Sequence, residues 1–131
     1  MHTVVKTTTS SIDIDPFGVV QNVFKTKSGF KLAYIIEQSN TIRQMLNGKK
    51  APILVNVTKV DEITLRYYSR LISADNLESA SALAVLVSST VQKRMLNVWY
   101  SLYTRHCPVR AFSNEQEANV WLQQYVTASN S

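Results

Sequence analysis

Residues 82–87 read A-L-A-V-L-V, and the hydroxyl triplet Ser88-Ser89-Thr90 follows at once. A run this short is more compatible with a strand than with a helix, and its unbroken apolarity suits a strand covered on both faces. The chain then changes period. S-T-V-Q at 89–92 is a capping-box pattern, in which the serine hydroxyl and the glutamine satisfy the free amides of a helix start. Val91, Met95, Val98 and Leu102 follow at i, i+4, i+7 and i+11, with Trp99 adjoining, and predict an amphipathic helix. A buried strand that turns directly into a helix is a unit of a parallel sheet with crossovers. The segment 81–96 is therefore expected at the sheet centre, and the other segments are placed relative to it.

A second apolar run, I-L-V-N-V at 53–57, has the same character, with Asn56 as its exception. Between the two runs, 60–63 reads as a loop, Thr64 is a candidate helix cap, and Leu65, Tyr68 and Ile72 share a helical face. Pro108 precedes a short strand at 109–112. Ser113 to Gln116 gives a second capping box, and Ala118, Trp121, Leu122 and Tyr125 form the stripe of a last helix. The second half thus alternates strand and helix, which implies parallel strands and right-handed crossovers.

The first half is less regular. Threonine and valine at 3–9 suit a strand of polar character, and Ile12 and Ile14 alternate with Asp13 and Asp15 before a turn marked by Pro16 and Gly18. Residues 19–25 give another strand. Ser28 is placed to cap a helix carrying Leu32, Ile35, Ile36, Ile42 and Leu46, which Asn47-Gly48 ends. No repeat, low-complexity segment or linker divides the chain. It reads as one domain over 1–131, with 1–10 and 127–131 expected to fray.

Composition bears on which functions are excluded. The apolar fraction of 45% is ordinary for a globular domain, and no window approaches the roughly 18 uninterrupted apolar residues of a membrane span. The N-terminus has no apolar core of signal-peptide length, and the one cysteine, Cys107, excludes an internal disulfide, so a cytoplasmic location is expected. The net charge is +5, but no basic run exceeds two residues, which argues for a solvated surface and against a nucleic-acid partner.

Chemistry is sparse. His106 adjoins Cys107, yet neighbours in an extended segment point to opposite sides, and His2 is the other histidine. The pairs Asp13/Asp15 and Asp61/Glu62 show no convergence. Gly18, Gly29 and Gly48 are too far apart for a phosphate loop. No catalytic residue, metal or cofactor is assigned. The aromatics Tyr67, Tyr68, Trp99, Tyr100 and Tyr103 are read as core, or as the lining of an apolar pocket or dimer surface. On that reading Trp99 and Tyr103 share a helical face and Tyr100 points elsewhere.

One position has a physical rationale for a ligand. In open α/β sheets ligands sit beyond the carboxyl ends of strands, and free amides at a helix start favour an anion. Ser88, Ser89 and Thr90 occupy such a place, with Lys93 and Arg94 close behind. If strand 53–57 neighbours 82–87, Thr58 and Lys59 approach the same edge. The competing account is that Ser89 simply caps the helix.

The runs I-L-V-N-V-T-K-V at 53–60, A-L-A-V-L-V-S-S at 82–89 and V-R-A-F-S-N-E-Q-E-A-N-V-W-L at 109–122, in this order of elements, resemble the SpoIIAA-like group of the STAS superfamily. The resemblance covers about Gly18 to Val126. It implies an α/β SpoIIAA-like mixed sheet of four or five strands, the later ones parallel, covered by about four helices. It also implies a small bacterial regulatory domain related to anti-sigma-factor antagonists. Members that act as antagonists carry an Asp-Ser pair whose serine is phosphorylated by a partner kinase. That pair falls at Thr64-Leu65, so no phosphoacceptor stands at the family position Leu65, and Thr64 is a weak substitute.

The combined expectation is a non-enzymatic regulatory module that binds an unidentified protein and is compatible with self-association. The alternative is a binder of a small apolar or anionic, lipid-like ligand at the carboxyl edge, in a cavity between helices 29–46 and 90–103. A hydrolase at that edge ranks below both.

Overall fold

The computed structural model describes residues 4–27, 31–66, 78–102 and 107–130. Six strands form one mixed sheet: β1 (Val5–Lys6), β2 (Ser10–Ile14), β3 (Val20–Phe24), β4 (Ala51–Asn56), β5 (Ala80–Leu86) and β6 (Val109–Phe112). Their spatial order is their chain order. The pairs β1/β2 and β2/β3 are antiparallel, and β3 to β6 run parallel. The two-residue β1 brings the count to six. The helices are α1 (Leu32–Met45), α2 (helical over the described residues 62–66), α3 (Thr90–Leu102) and α4 (Glu115–Asn130).

Sequential order among the parallel strands fixes where the helices go. Right-handed crossovers that all step in one direction place their helices on one face. On that face Ile12, Val20, Phe24, Ile53, Val55, Leu83 and Val85 of the sheet pack with Ile35 and Ile42 of α1, Leu65 of α2 and Tyr100 of α3. α4, which follows β6, packs on the other face. There Val19, Leu54, Ala82, Ala84, Leu86 and Phe112 meet Ala118 and Leu122.

Residues 82–87 are all buried, as an unbroken apolar run requires when helices lie on both faces. The strand is not the centre of the sheet, however. β5 stands next to the edge strand β6, and β3 and β4 hold the middle. The register also slips. Ala51 pairs with Ala80 and Pro52 with Ala82, leaving Ser81 as an extra residue. The bulge explains why Ala80 and Leu83, three residues apart, both face the α1 side. It also accommodates Pro52, which has no amide to give a ladder.

The two halves are tied by polar contacts in the core. Asn22 on β3 donates from Nδ2 to Gln38 Oε1 on α1 at 3.0 Å, and Gln38 Nε2 donates to Thr9 Oγ1 at 2.9 Å. All three side chains are buried. On the α4 side Gln21 Nε2 donates to Asn119 Oδ1 at 3.2 Å and to Asp15 Oδ2 at 3.2 Å. Asp15 Oδ1 accepts the amides of Phe17 and Val19, closing the β2–β3 turn. Gly18 sits in that turn at φ +91°, a conformation that side chains disfavour.

The helix termini correct several expectations. Asp61, and not Thr64, caps α2: its Oδ1 accepts the Thr64 amide at 2.8 Å, and the helix begins within 60–63. Asn114, and not Ser113, caps α4: its Oδ1 accepts the Glu117 amide at 2.9 Å. In both cases a second capping residue stands nearby, and sequence cannot rank the two. Lys31 precedes α1 without a side-chain cap, and Ser28 lies outside the described residues. Leu32 and Ile36 are exposed, while Gln38 joins Ile35 and Ile42 on the buried face. Leu46 ends the helix as expected, with Asn47 at φ 53° and Gly48 at φ 79°.

Candidate functional site at the carboxyl edge and the outer face of α3

The parallel pairing of β4 and β5 sets Asn56 opposite Leu86, so the two strands end at the same height. Thr58 and Ser88 therefore leave neighbouring strand ends, as the sequence reading required. Two of the hydroxyls, those of Thr58 and Ser89, have a structural explanation close at hand. Asn56 Oδ1 accepts the Thr58 amide at 3.1 Å and the Thr58 hydroxyl at 2.7 Å, folding the strand end into an Asx turn. Ser89 Oγ accepts the Gln92 amide at 3.0 Å, which is the serine half of the capping box. Ser88, Thr90 and Arg94 are exposed, and Lys93 is half-buried on the first turn of α3.

Thr64 and Leu65, the pair at which the resemblance sets the antagonists' phosphoacceptor, lie at the start of α2. Leu65 is in the core at 4% exposure and Thr64 is buried at 8%. The Thr64 amide and then its hydroxyl hold the Asp61 carboxyl below the usual carboxylate range, because hydrogen bonds to the ionised form favour it. Thr64 thus serves the first turn of α2 and is not presented outward.

The largest departure from expectation is the rotation of α3. Val91, Met95, Val98 and Leu102, the stripe expected to face the core, are 55–71% exposed. The inward face carries Leu96, Trp99 and Tyr100. Tyr100 is buried, in keeping with the core reading of the aromatics, and its ring meets Trp99 edge-on at 5.6 Å. Two effects decide the rotation. Burying each aromatic side chain removes ~150–250 Å² from water, more than an aliphatic stripe of the same length offers per residue. Asn97 also reaches the sheet in this orientation. Its Nδ2 donates to the Ala111 carbonyl at 3.0 Å, and its Oδ1 accepts the Ala111 amide at 2.7 Å.

Those bonds have a particular target. β6 pairs with β5 through Pro108 and Phe112, whose carbonyls accept from Leu83 and Val87. Alternation along the strand turns the Ala111 groups toward the open side. Asn97 therefore satisfies the outward groups of Ala111 with one amide side chain. Sequence offered no signal for this beyond an asparagine in mid-helix.

A cleft of about 250 Å³ opens between α2 and α3, lined by Glu62, Leu65, Arg66, Met95, Leu96 and Trp99 among others. This cleft uses α2 against α3. Arg66 and Glu62 form an exposed ion pair at 3.2 Å on its rim. Tyr67, Tyr68 and Tyr103 lie outside the described residues. Among the described residues no helix is long and apolar enough to cross a membrane, and no group of three His, Cys, Asp or Glu side chains is placed to hold a metal ion.

These elements define an α/β domain with a six-stranded mixed sheet, four helices and an apolar outer helix face. The chain belongs to the family described as a domain of unknown function, DUF7793, whose model matches residues 13–126. No curated protein matches. Among solved structures, an uncharacterised protein of the DUF3478 family from Shewanella loihica PV-4, described as having a SpoIIAA-like fold, is similar. It is 13% identical, with 93% of this chain and 92% of that chain covered and a TM-score of 0.48.

Proposed function

We propose that this chain is a non-enzymatic regulatory module of SpoIIAA-like type that works by binding another protein. The observation that carries this reading is the solvent-facing stripe Val91, Met95, Val98 and Leu102 on a helix whose other face packs toward the core. Contiguous exposed apolar side chains cost solubility, and in folded domains they mark interaction surfaces. The hydroxyls of the carboxyl edge support it from the other side, since Thr58 and Ser89 are engaged in local turns and caps. A cytoplasmic location fits the single cysteine.

The test is affinity capture with the tagged full chain, followed by reconstitution from purified components. A retained protein that forms a stoichiometric complex by light scattering is the expected result. Absence of any such protein, or turnover of an ester or phosphate substrate that Ser89→Ala abolishes, overturns the proposal.

A second reading is favoured by the cleft between α2 and α3, whose apolar lining of Leu65, Met95, Leu96 and Trp99 suits a lipid-like ligand. In it, Ser88, Ser89, Thr90, Lys93, Arg94 and Thr58 would receive an anionic head at the nearby strand ends. Native mass spectrometry of the purified chain separates the readings. A co-purified small molecule favours the ligand binder, and bare protein favours the protein-binding module.

A further inference from the structure

α1 closes between Arg43 and Gly48. The Gly48 amide donates to the Arg43 carbonyl at 3.0 Å, and the Asn47 amide donates to the Gln44 carbonyl at 3.2 Å. In this paired closure the residue before the last turns left-handed, a place that glycine usually fills and asparagine sometimes does. Here Asn47 fills it at φ 53°, and Gly48 follows at φ 79°. Both residues are exposed, and among the described residues no side-chain hydrogen bond engages Asn47. Asn47 is also the one asparagine in the chain that glycine follows.

That dipeptide sets an electrophile beside a nucleophile. A bond between the Gly48 nitrogen and Asn47 Cγ closes a five-membered ring, and glycine has no side chain to shield its nitrogen. The space beside Gly48 is open as well, since a Cβ placed there would meet no atom within 4 Å.

We propose that Asn47 is a site of non-enzymatic deamidation whose rate is held down by the C-terminal closure of α1. The Gly48 nitrogen attacks Asn47 Cγ and gives up its proton. The bond from Cγ to the side-chain nitrogen breaks, and that nitrogen takes up the proton and leaves as ammonia. Water then opens the cyclic imide at either carbonyl. One opening leaves aspartate at position 47. The other leaves isoaspartate, in which the main chain runs through the former side chain. The sum is one water consumed and one ammonia released, with no oxidation or reduction.

The closure is the brake, because the Gly48 amide is held by the Arg43 carbonyl. Reaction proceeds from chains whose last helical turn has opened, and helix ends open at less cost than the core. The product changes the turn that leads into β4 at Ala51. A carboxylate at 47 meets the negative end of the helix dipole, just ahead of the exposed Lys49 and Lys50. Isoaspartate also lengthens the main chain by one carbon, so the closure from Arg43 to Gly48 no longer fits.

The experiment incubates the folded full chain and a peptide of residues 41–52 in the same mildly alkaline buffer and follows both by mass spectrometry of their digests. Asn47 of the folded chain is expected to convert between about tenfold and about a hundredfold more slowly than in the peptide, the span set by opening a helix end. It should convert before Asn22, Asn40, Asn56, Asn97, Asn114 or Asn119. Urea that unfolds the chain should bring its rate to that of the peptide. Asn47→Gly keeps the left-handed turn and should neither convert nor lower the melting temperature. The isoaspartyl fraction, separated by charge, should lose hydrogen-exchange protection at the Gly48 amide.

Earlier conversion at another asparagine, or a folded rate more than a hundredfold below the peptide's, overturns the site. A folded rate equal to the peptide's, or a rate that stays low in urea, overturns the brake. Retained protection of Gly48 in the isoaspartyl fraction shows that the closure survives the change, and overturns its stated consequence.

Discussion

At the scale of single residues, polar side chains set the local geometry, and they are the part of the molecule that periodicity conceals. Gln38 is the clearest case. It falls within a helix whose apolar residues suggested a different stripe, yet it is buried and bridges Asn22 and Thr9. Replacing it with leucine removes both bonds and strands the Asn22 amide inside the core. Leaving a buried polar group unmet costs about 1–3 kcal/mol. Gln38→Leu should therefore lower the unfolding free energy by that amount in a urea titration, despite the added apolar surface. A neutral or stabilising result would show that the bridge contributes nothing net. Asp61 gives a prediction in pH. Its folded pKa lies below the ordinary value, so its contribution is present above the unfolded pKa of 3.8 and is lost as pH falls through the lower folded pKa. Asp61→Asn keeps an N-cap but removes the titration. Below pH 3.8 the wild-type melting temperature should fall more steeply than that of the variant, and parallel curves would refute the assignment.

At the scale of elements, strands 53–57 and 82–87 were legible because burial on both faces leaves an unambiguous run of apolar residues. The rotation of α3 was not legible, for a physical reason. Its sequence offers two apolar faces, one with Val91, Met95, Val98 and Leu102 and one with Leu96, Trp99 and Tyr100. Periodicity alone favours the longer aliphatic series. The winning face is selected by aromatic burial and by the Asn97 bonds to β6, and the latter exist only once the strand is in place. The candidate edge at Thr58 and 88–90 was legible as a location, because two neighbouring parallel strands point their carboxyl ends to the same side of the sheet. The use of its hydroxyls was half legible, since the Ser89 cap was foreseen and the Asn56–Thr58 turn was not. Asn97→Ala tests the edge closure. Losing two hydrogen bonds should cost about 2 kcal/mol, at roughly 1 kcal/mol each. The uncovered strand should also pair with other chains, as open edges do. Light scattering at rising concentration should show growth for Asn97→Ala and none for the wild type. A destabilised but monodisperse variant would mean that Asn97 stabilises the fold without guarding the edge.

At the scale of the whole molecule, the two faces of the sheet are covered by different means. One face has α1, α2 and α3, each following from a crossover between adjacent parallel strands. The other has α4 alone, which must span β4, β5 and β6. A single helix can cover that width only by lying close, and the sheet residues beneath it are small: Ala82 and Ala84 on β5, with Ala118 opposite. Leu122 and Leu54, both almost wholly buried, fill the remaining space. The two layers therefore respond differently to added volume. Ala84→Leu inserts three carbons at a site with no exposure, where overpacking costs typically ~1–3 kcal/mol. α4 is the helix laid over Ala84, so the strain is expected to be relieved by lifting that helix and not by parting the strands. Hydrogen exchange should show faster exchange in α4 of Ala84→Leu, with protection of β4, β5 and α3 retained. Loss of protection spread evenly over both faces would mean that the layers unfold as one unit, and that α4 is integral to the core and not a cover laid over it.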